Sequence, residues 1–179
     1  MGLGISNPST KNWRRLTSGS VAAVALGTFS GSATFTARRL LRVKVSYNLT
    51  GAGPAGAYSC RMRVNSAAGA IYNFWVSSAA ETATLGATSA EVSVSNPTIA
   101  NNKAMCMVYL QGIQAGNGLG GTIMGSYDNN AGGAVHRNIA ISDGGVAIAG
   151  ITSVQFSMTG NAGPTWGASW TVDYDTDFN

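Results

Sequence analysis

The residue types that could perform chemistry are few and widely spaced. The chain has one histidine, His136, and its nearest acids, Asp128 and Asp143, lie seven or eight residues away. A Ser-His-Asp site is recognised by its geometry rather than by sequence position, and the sequence contains no Gly-x-Ser-x-Gly nucleophile motif. We therefore predict that His136 occupies a polar strand or loop position and is not catalytic.

The carboxylates do not form a recognisable set. A glycoside hydrolase needs two of them flanking a sugar cleft, and no acid of this sequence is embedded among aromatic residues. The segment at 173–179, DYDTDFN, lacks the glycine and the late glutamate of a calcium-binding loop. On a strand its three aspartates would point to one side, which predicts a solvated or salt-bridged edge face.

Cysteine usage argues against a metal site. Cys60 and Cys106 lie in apolar, strand-like stretches, and we predict two buried, reduced thiols. Without a Cys-x-x-Cys pair, and with one histidine, the chain has too few ligands for a zinc site. The loop at 116–121, GNGLGG, lacks the spacing of a phosphate-binding motif. The sequence thus predicts no catalytic, metal or cofactor site, and a protein that is not an enzyme.

The composition favours strands over helices. Charged residues make up 10% of the chain, glycine occurs 24 times, and strong helix formers such as Glu, Lys and Gln are scarce. Short apolar stretches between Gly- and Asn-rich turns predict roughly nine to eleven strands and no helix, in one all-β domain built as a two-sheet sandwich. A Ser-, Thr- and Ala-rich loop is expected after a strand at 70–76. No apolar run is long enough to span a bilayer, so no membrane contact is expected.

The clearest strand pattern lies at residues 41–49. Its odd-numbered positions are apolar, whereas its even-numbered positions are polar or basic and include Arg42 and Lys44. Because successive side chains of a strand point to opposite faces, one face of this strand is apolar and the other is basic.

The next strand repeats this design. After a turn at 51–56, the apolar positions of residues 58–64 alternate with Ser59, Arg61 and Arg63. The short connection predicts that the two strands are antiparallel neighbours. The nearly continuous apolar run at 103–111 predicts a central strand.

Charge is divided unevenly along the chain. The first 64 residues contain nine Lys or Arg and no acid, giving +9, whereas the remainder sets seven acids against Lys103 and Arg137, giving −5 within a net charge of +4. Either the two halves meet in the fold and neutralise each other, or the molecule has a basic pole and an acidic pole.

A nucleic-acid patch would require the basic residues to lie on neighbouring strands; the candidates are Arg38, Arg39, Arg42, Lys44, Arg61 and Arg63. Proteins that bind single strands also place aromatic rings on such a face to stack bases, but Tyr47 and Tyr58 fall on the apolar parity. A basic face without stacking groups fits contact with protein or phosphate better than base readout. We therefore predict no nucleic-acid partner.

The N-terminus differs in character from the rest of the chain. Residues 1–19 combine Pro8 with several Ser and Thr, which predicts an irregular N-terminal arm ahead of a domain at 20–179. Aromatic and arginine side chains dominate the binding energy of protein interfaces. We therefore expect Trp13 to anchor this arm.

Several segments occur in a characteristic order. They are F-x-A-x-x-L-L-x-V-x-V at 35–45, CRMRVNSAAGAIYNFW at 60–75, AGITSVQFSMTGN at 149–161 and a final strand at 166–174. This order, over about residues 20–175, resembles the jelly-roll domains of tailed-bacteriophage virion proteins, with Arg63, Asn65 and Tyr72 matching the middle element and residues 151–154 matching the late one. The sequence departs from the family where Asn-Gly-Asp reads Asn65-Ser-Ala and where Leu-Tyr-Gly reads Val172-Asp-Tyr.

The resemblance implies an all-β, single-domain β-sandwich of jelly-roll type with a structural, non-enzymatic role in a virion assembled in the host bacterial cytoplasm. A short chain with a polar arm is similar to head decoration (cement) proteins, which bridge capsomers, often as trimers. The implied partners are the major capsid protein or other virion proteins and two further copies in a homotrimer. The residues expected to bind them are Trp13, Arg14, Arg15, Arg38, Arg39, Arg42 and Lys44.

Tail and fibre proteins belong to the same family, and they supply an alternative function. A receptor- or carbohydrate-binding module at a tail tip would expose tryptophans in a groove or loop, where Trp75 or Trp166 could contact a glycan. Binding of a glycan is therefore the second expectation.

In a jelly roll an early strand commonly pairs beside the last one. We therefore expect Arg42 and Lys44 to lie near Asp173 and Asp175, which would join the basic and acidic halves within one sheet.

Overall fold

A computed structural model describes the course of the chain over residues 13–32, 34–36, 40–51, 58–66, 72–77, 82–95, 103–112, 119–129, 133–142 and 151–176. Side chains are described for 13–32, 34–36, 40–51, 58–66, 87–89, 91, 105–111 and 151–176. Within these ranges the chain forms twelve strands and no α-helix. They are β1 (Trp13–Ala25), β2 (Ser30–Gly31), β3 (Leu40–Thr50), β4 (Tyr58–Val64), β5 (Tyr72–Ser77), β6 (Thr82–Ala87), β7 (Ala90–Ser95), β8 (Lys103–Gly112), β9 (Leu119–Asn129), β10 (Gly133–Ser142), β11 (Val154–Thr159) and β12 (Thr165–Asp175).

The strands form two antiparallel sheets. Eight of them follow the order β1-β12-β3-β8-β9-β10-β5-β6, and four follow the order β2-β11-β4-β7. The prediction of an all-β, two-sheet sandwich is therefore confirmed. One strand that the sequence did not predict is β6, which was expected to be a loop. Its sequence, TATLGA, does alternate, but the apolar positions are mostly small alanines within a Ser-, Thr- and Ala-rich stretch, so the pattern is weak. As an edge strand, β6 needs hydrogen bonds to one neighbour only, and β5 supplies them.

The predicted pairing of β3 with β4 is wrong. β3 lies between β12 and β8 in the large sheet, and β4 lies between β11 and β7 in the small one. Both strands turn their apolar faces toward the shared interior, where the Tyr47 hydroxyl donates a hydrogen bond to the carbonyl of Arg61 at 3.1 Å. Period-two alternation looks the same whether two strands lie side by side or face each other, so the pattern could not distinguish these arrangements.

The interior contains the side chains that alternation assigned to it. The odd positions of β3 from Leu41 to Leu49 are at most 3% exposed, and the even positions of β4 from Tyr58 to Val64 are fully buried. Tyr47, Phe156 and Trp166 pack there at centroid distances of 6.1 and 6.3 Å from the tyrosine. Cys60 and Cys106 are buried and unbonded, as predicted. β8 is an interior strand, also as predicted.

The predicted irregular arm is wrong for residues 13–19, and residues 1–12 lie outside the described part of the chain. Residues 13–19 begin β1, the edge strand of the large sheet, which pairs with β12 from Trp13↔Asp175 to Ala25↔Thr165. Ser, Thr and Gly weaken a strand signal in the sequence, yet β12 provides a hydrogen-bonding template for them. Two bulges interrupt the register, after Arg15 and after Val21.

Candidate interaction surface

The outer face of the large sheet, which is the face away from the sandwich interior, has a row of charged and aromatic side chains. One row of residues crosses four of its strands in register: Arg15 on β1, Asp173 on β12, Arg42 on β3 and Tyr109 on β8. Directly opposite residues in antiparallel strands have neighbouring side chains. The strand order therefore brings together groups that lie up to 158 residues apart in the chain.

Asp173 is the centre of this row. Its carboxylate accepts a hydrogen bond from Arg15 Nε at 2.6 Å and others from Arg42 Nη2 at 2.9 Å and Nε at 3.3 Å. The Asp173 side chain is 5% exposed. Burial alone would raise the pKa of Asp173, but the hydrogen bonds and charges of the two arginines outweigh burial and lower this pKa. A buried carboxylate is thus kept ionised by two cations.

This geometry confirms part of the expected contact between the two halves of the chain. Arg42 pairs with Asp173 as expected, whereas Lys44 lies opposite Thr171 and Asp175 lies opposite Trp13. The second arginine, Arg15, was not foreseen in this role because it was assigned to an arm. Trp13 and Arg15 are two residues apart, so on a strand their side chains would share one face. This spacing was the available indication that Arg15 lies beside Trp13.

Two aromatic rings complete the group. The Arg42 guanidinium lies 4.6 Å from the centroid of the Trp13 ring, within cation–π range. Trp13 also meets Tyr109 edge-on, with centroids 6.1 Å apart and an interplanar angle of 65°. We name Trp13, Arg15, Arg42, Tyr109 and Asp173 the Asp173 cluster. The prediction that this basic face lacks aromatic residues is wrong, because it considered Tyr47 and Tyr58 alone.

An apolar ridge lies beside the Asp173 cluster. Met105, Met107 and Tyr109 follow one another at alternate positions of β8 and share its outer face. Met105 is 59% exposed, Met107 and Tyr109 are half-buried, and the Tyr109 hydroxyl donates to Met107 Sδ at 3.0 Å. We name these three residues the β8 ridge. The exposed Lys44 lies opposite Met107 on β3.

The two pairs of basic residues on β3 and β4 do not form one patch. Arg61 and Arg63 lie on the outer face of the small sheet, on the other side of the sandwich from Arg42 and Lys44, since both strands turn their apolar faces inward. There Arg61 lies 3.5 Å from Glu91. Arg63 lies 3.7 Å above the Phe29 ring and donates to the Thr88 carbonyl.

Arg14 contributes little to this surface. Arg14 is exposed and lies opposite Tyr174, so alternation directs it away from the face that carries Arg15. Arg38 and Arg39 lie outside the described residues.

Trp166 is not available to a glycan. It is fully buried, and its indole Nε1 donates to the carbonyl of Ala25 at 3.1 Å. The expectation that it is exposed is therefore wrong: the alternation that contains Trp166 turns it into the interior. The side chain of Trp75 lies outside the described ones.

His136 lies within β10, so the predicted strand position is confirmed. The backbone register sets it opposite Ser126 of β9. Both side chains lie outside the described ones.

Two of the segments on which the family resemblance rests, 60–75 and 149–161, contact each other. Asn65 Oδ1 accepts hydrogen bonds from the backbone N–H groups of Thr152 at 2.7 Å and Ser153 at 3.2 Å, and the Asn65 N–H donates to the Ser153 carbonyl at 3.0 Å. Asn65 has a positive φ of 53°, a conformation that asparagine tolerates better than most residues. This side chain fixes the entry to β11 against the end of β4.

In the described part of the chain, no three His, Cys, Asp or Glu residues come together as a metal-binding group. The same residues include no helix with the length and hydropathy needed to cross a membrane. No model of a known protein family matches the chain, and no curated protein matches it in a sequence comparison.

Proposed function

We propose that this protein is a non-enzymatic structural component of a bacteriophage virion. Its specific role is that of a capsid decoration (cement) protein, which binds the outer surface of the head and bridges capsomers. The observation that carries the proposal is the order in which the strands pair, because it adds a topological argument to the resemblance of the sequence.

The strand order supports a jelly-roll fold. If the hairpins β5–β6 and β9–β10 are set aside, eight strands remain in chain order. The first, eighth, third and sixth are neighbours in the large sheet, and the second, seventh, fourth and fifth are neighbours in the small sheet. This alternation between sheets matches the connectivity expected of a jelly roll, an architecture used by viral capsid proteins as well as by lectins and cupins. The four strands set aside extend the large sheet beyond β8.

A fold alone does not assign a function, so the site must carry the distinction among these classes. The contact of Asn65 with residues 152 and 153 joins two of the segments on which the resemblance rests, and this supports the proposal that they form one motif. The outer face of the large sheet has arginine, aromatic and methionine side chains, the types enriched at protein interfaces. These two features together favour an assembly role.

The proposed partners are the major capsid protein or another virion protein and two further copies in a homotrimer, without nucleic acid or membrane. Trp13, Arg15, Arg42 and Lys44 are proposed to serve this binding from the sheet itself rather than from a free arm. Receptor or glycan binding at a tail tip is the competing role. The burial of Trp166 removes one of the two residues on which that role was argued.

The proposal is tested on particles of the encoding phage assembled without this gene. Recombinant protein added to such particles should bind heads saturably, with a fixed number of copies per capsomer visible by cryo-electron microscopy. Light scattering should give a trimer in solution or on release from the head. Attachment at the tail tip, or loss of host adsorption with fully stable heads when the gene is deleted, would overturn the decoration role.

A further inference from the structure

We propose that the outer face of the large sheet, centred on the β8 ridge and Lys44, is the surface that docks on the partner. The partner surface it fits is an apolar protein patch bordered by carboxylates. This inference rests on the proposed function and names the chemistry of the partner for that same face.

The first argument is the exposure of apolar side chains on an interior strand. β8 has neighbours on both edges, so its outward residues face solvent only through the open face of the sheet. Serine or threonine would suit that environment, and β12 has Ser169 and Thr171 there. β8 instead has Met105, which is 59% exposed, next to Met107. Methionine side chains adapt their shape to a partner and are favoured at binding surfaces.

The second argument is charge. Among the side chains described on this face, the carboxylate of Asp173 is already neutralised by Arg15 and Arg42. Asp175, on the same side of β12, adds a second carboxylate. The three cations Arg15, Arg42 and Lys44 still outnumber these two carboxylates, so this part of the face is net positive by one charge. Two copies meeting face to face would bring like charges together, which is unfavourable. An acidic border on a different surface is complementary to it.

The third argument separates a protein partner from a nucleic acid. Rings that bind single strands must be free to stack on bases. Here Trp13 is already packed against the Arg42 guanidinium at 4.6 Å and against Tyr109 at 6.1 Å. The exposed large apolar side chain described on this face is Met105, which has no flat ring to stack on a base. These contacts favour a protein.

The test compares three variants of the full chain on the particles assembled without this gene. Met105→Ser removes the apolar contact and Lys44→Glu reverses the border charge, while Ala162→Glu places the same acid on the exposed turn at 160–163 as a control. We expect the first two to weaken binding by about tenfold or more and the control to bind as the unmodified protein does. Raising the salt concentration should weaken the binding of the unmodified protein to heads and reduce the difference in affinity between it and Lys44→Glu.

Each other outcome has a defined meaning. All three substituted positions are exposed, so the variants should melt at the temperature of the unmodified protein, which excludes misfolding as the cause of lost binding. If all three bind normally, the docking face is wrong while the decoration role stands. If the unmodified protein does not bind heads, both are wrong. If a mixed-sequence single-stranded oligonucleotide binds in a Lys44-dependent manner and competes with heads, the partner chemistry is a nucleic acid and the inference is overturned.

Discussion

Arg42 and Asp173 face each other on β3 and β12, with Arg42 Nη2 2.9 Å from Asp173 Oδ2, although 131 residues separate them in the chain. Arg15 reaches the other oxygen of the same carboxylate from β1. Three strands of the large sheet are therefore joined by one ionised group, and this group is the most direct place to test the fold.

Replacing Asp173 by asparagine should lower the free energy of unfolding by about 1–3 kcal/mol, because a charge-assisted acceptor is lost while both arginines remain. Urea unfolding followed by tryptophan fluorescence measures this change. Ser169→Ala, on the exposed face of the same strand, is the control and should change stability by less than about 0.5 kcal/mol. Equal stability of Asp173→Asn and the unmodified protein would show that the ion pairs of Asp173 with Arg15 and Arg42 do not contribute to the free energy of unfolding.

The contribution of Asp173 should depend on pH. Its pKa is lowered in the folded protein, so its stabilisation is complete above the unfolded-state pKa of about 3.9 and is lost as the pH falls through the folded-state pKa. The difference in unfolding free energy between the unmodified protein and Asp173→Asn should be constant from about pH 7 to pH 5 and shrink below about pH 4. A difference that grows on acidification would contradict the ion pair.

Asn65→Ala should destabilise the protein by about 1–3 kcal/mol, because two backbone N–H groups lose their acceptor and alanine is strained at the positive φ. Asn65→Asp is the matched control, since its carboxylate oxygen can accept the same bonds; its loss should be distinctly smaller. Thermal unfolding measures both. Equal losses for the two variants would mean that the acceptor oxygen is unimportant.

Gly19→Ala should destabilise the protein by about 1–3 kcal/mol through overpacking. A Cβ at Gly19 would lie 2.6 Å from Cζ2 of Trp170 on the neighbouring strand. The tryptophan would have to move, and this would change the near-ultraviolet circular dichroism. Ser18→Ala, at the neighbouring exposed position, should leave both the stability and the spectrum unchanged. If Gly19→Ala also changes neither, Trp170 does not pack against Gly19.

The thiols of Cys60 and Cys106 should be inert in the folded protein. Burial raises the pKa of both, so the reactive thiolate is scarce and reagent access is blocked. A chromogenic disulfide reagent should label neither thiol under native conditions and both in denaturant. Rapid labelling of the native protein would contradict the packing of the interior.

The sequence predicted what depends on local alternation and missed what depends on which strands meet. Odd positions of β3 and even positions of β4 could be assigned to the interior because burial repeats every second residue. The allocation of β3 and β4 to different sheets could not be predicted, since both arrangements satisfy the same pattern. The pairing of Arg42 with Asp173 was reached through the resemblance, which suggested that the last strand lies beside an early one.

The candidate surface was predicted in part. Trp13, Arg15, Arg42 and Lys44 were selected for their types, but their arrangement depends on β1 joining the edge of the sheet. Tyr109 and the exposed Met105 were not selected, because they lie in an apolar stretch that predicts a fully buried strand. Nearly continuous apolar sequence does not distinguish a strand covered on both faces from one whose outer face is open.

The pairing of the first and last strands also determines how the molecule bears mechanical load. Trp13 lies opposite Asp175, so a force applied through these two positions acts at one end of the β1–β12 pair and across its hydrogen bonds. Those bonds then break one after another, as in a zipper. A force between Ala25 and Asp175 acts along the strands and loads many bonds at once. The same ladder is therefore weak when it is pulled at Trp13 and Asp175 and strong when one strand is pulled lengthwise past the other.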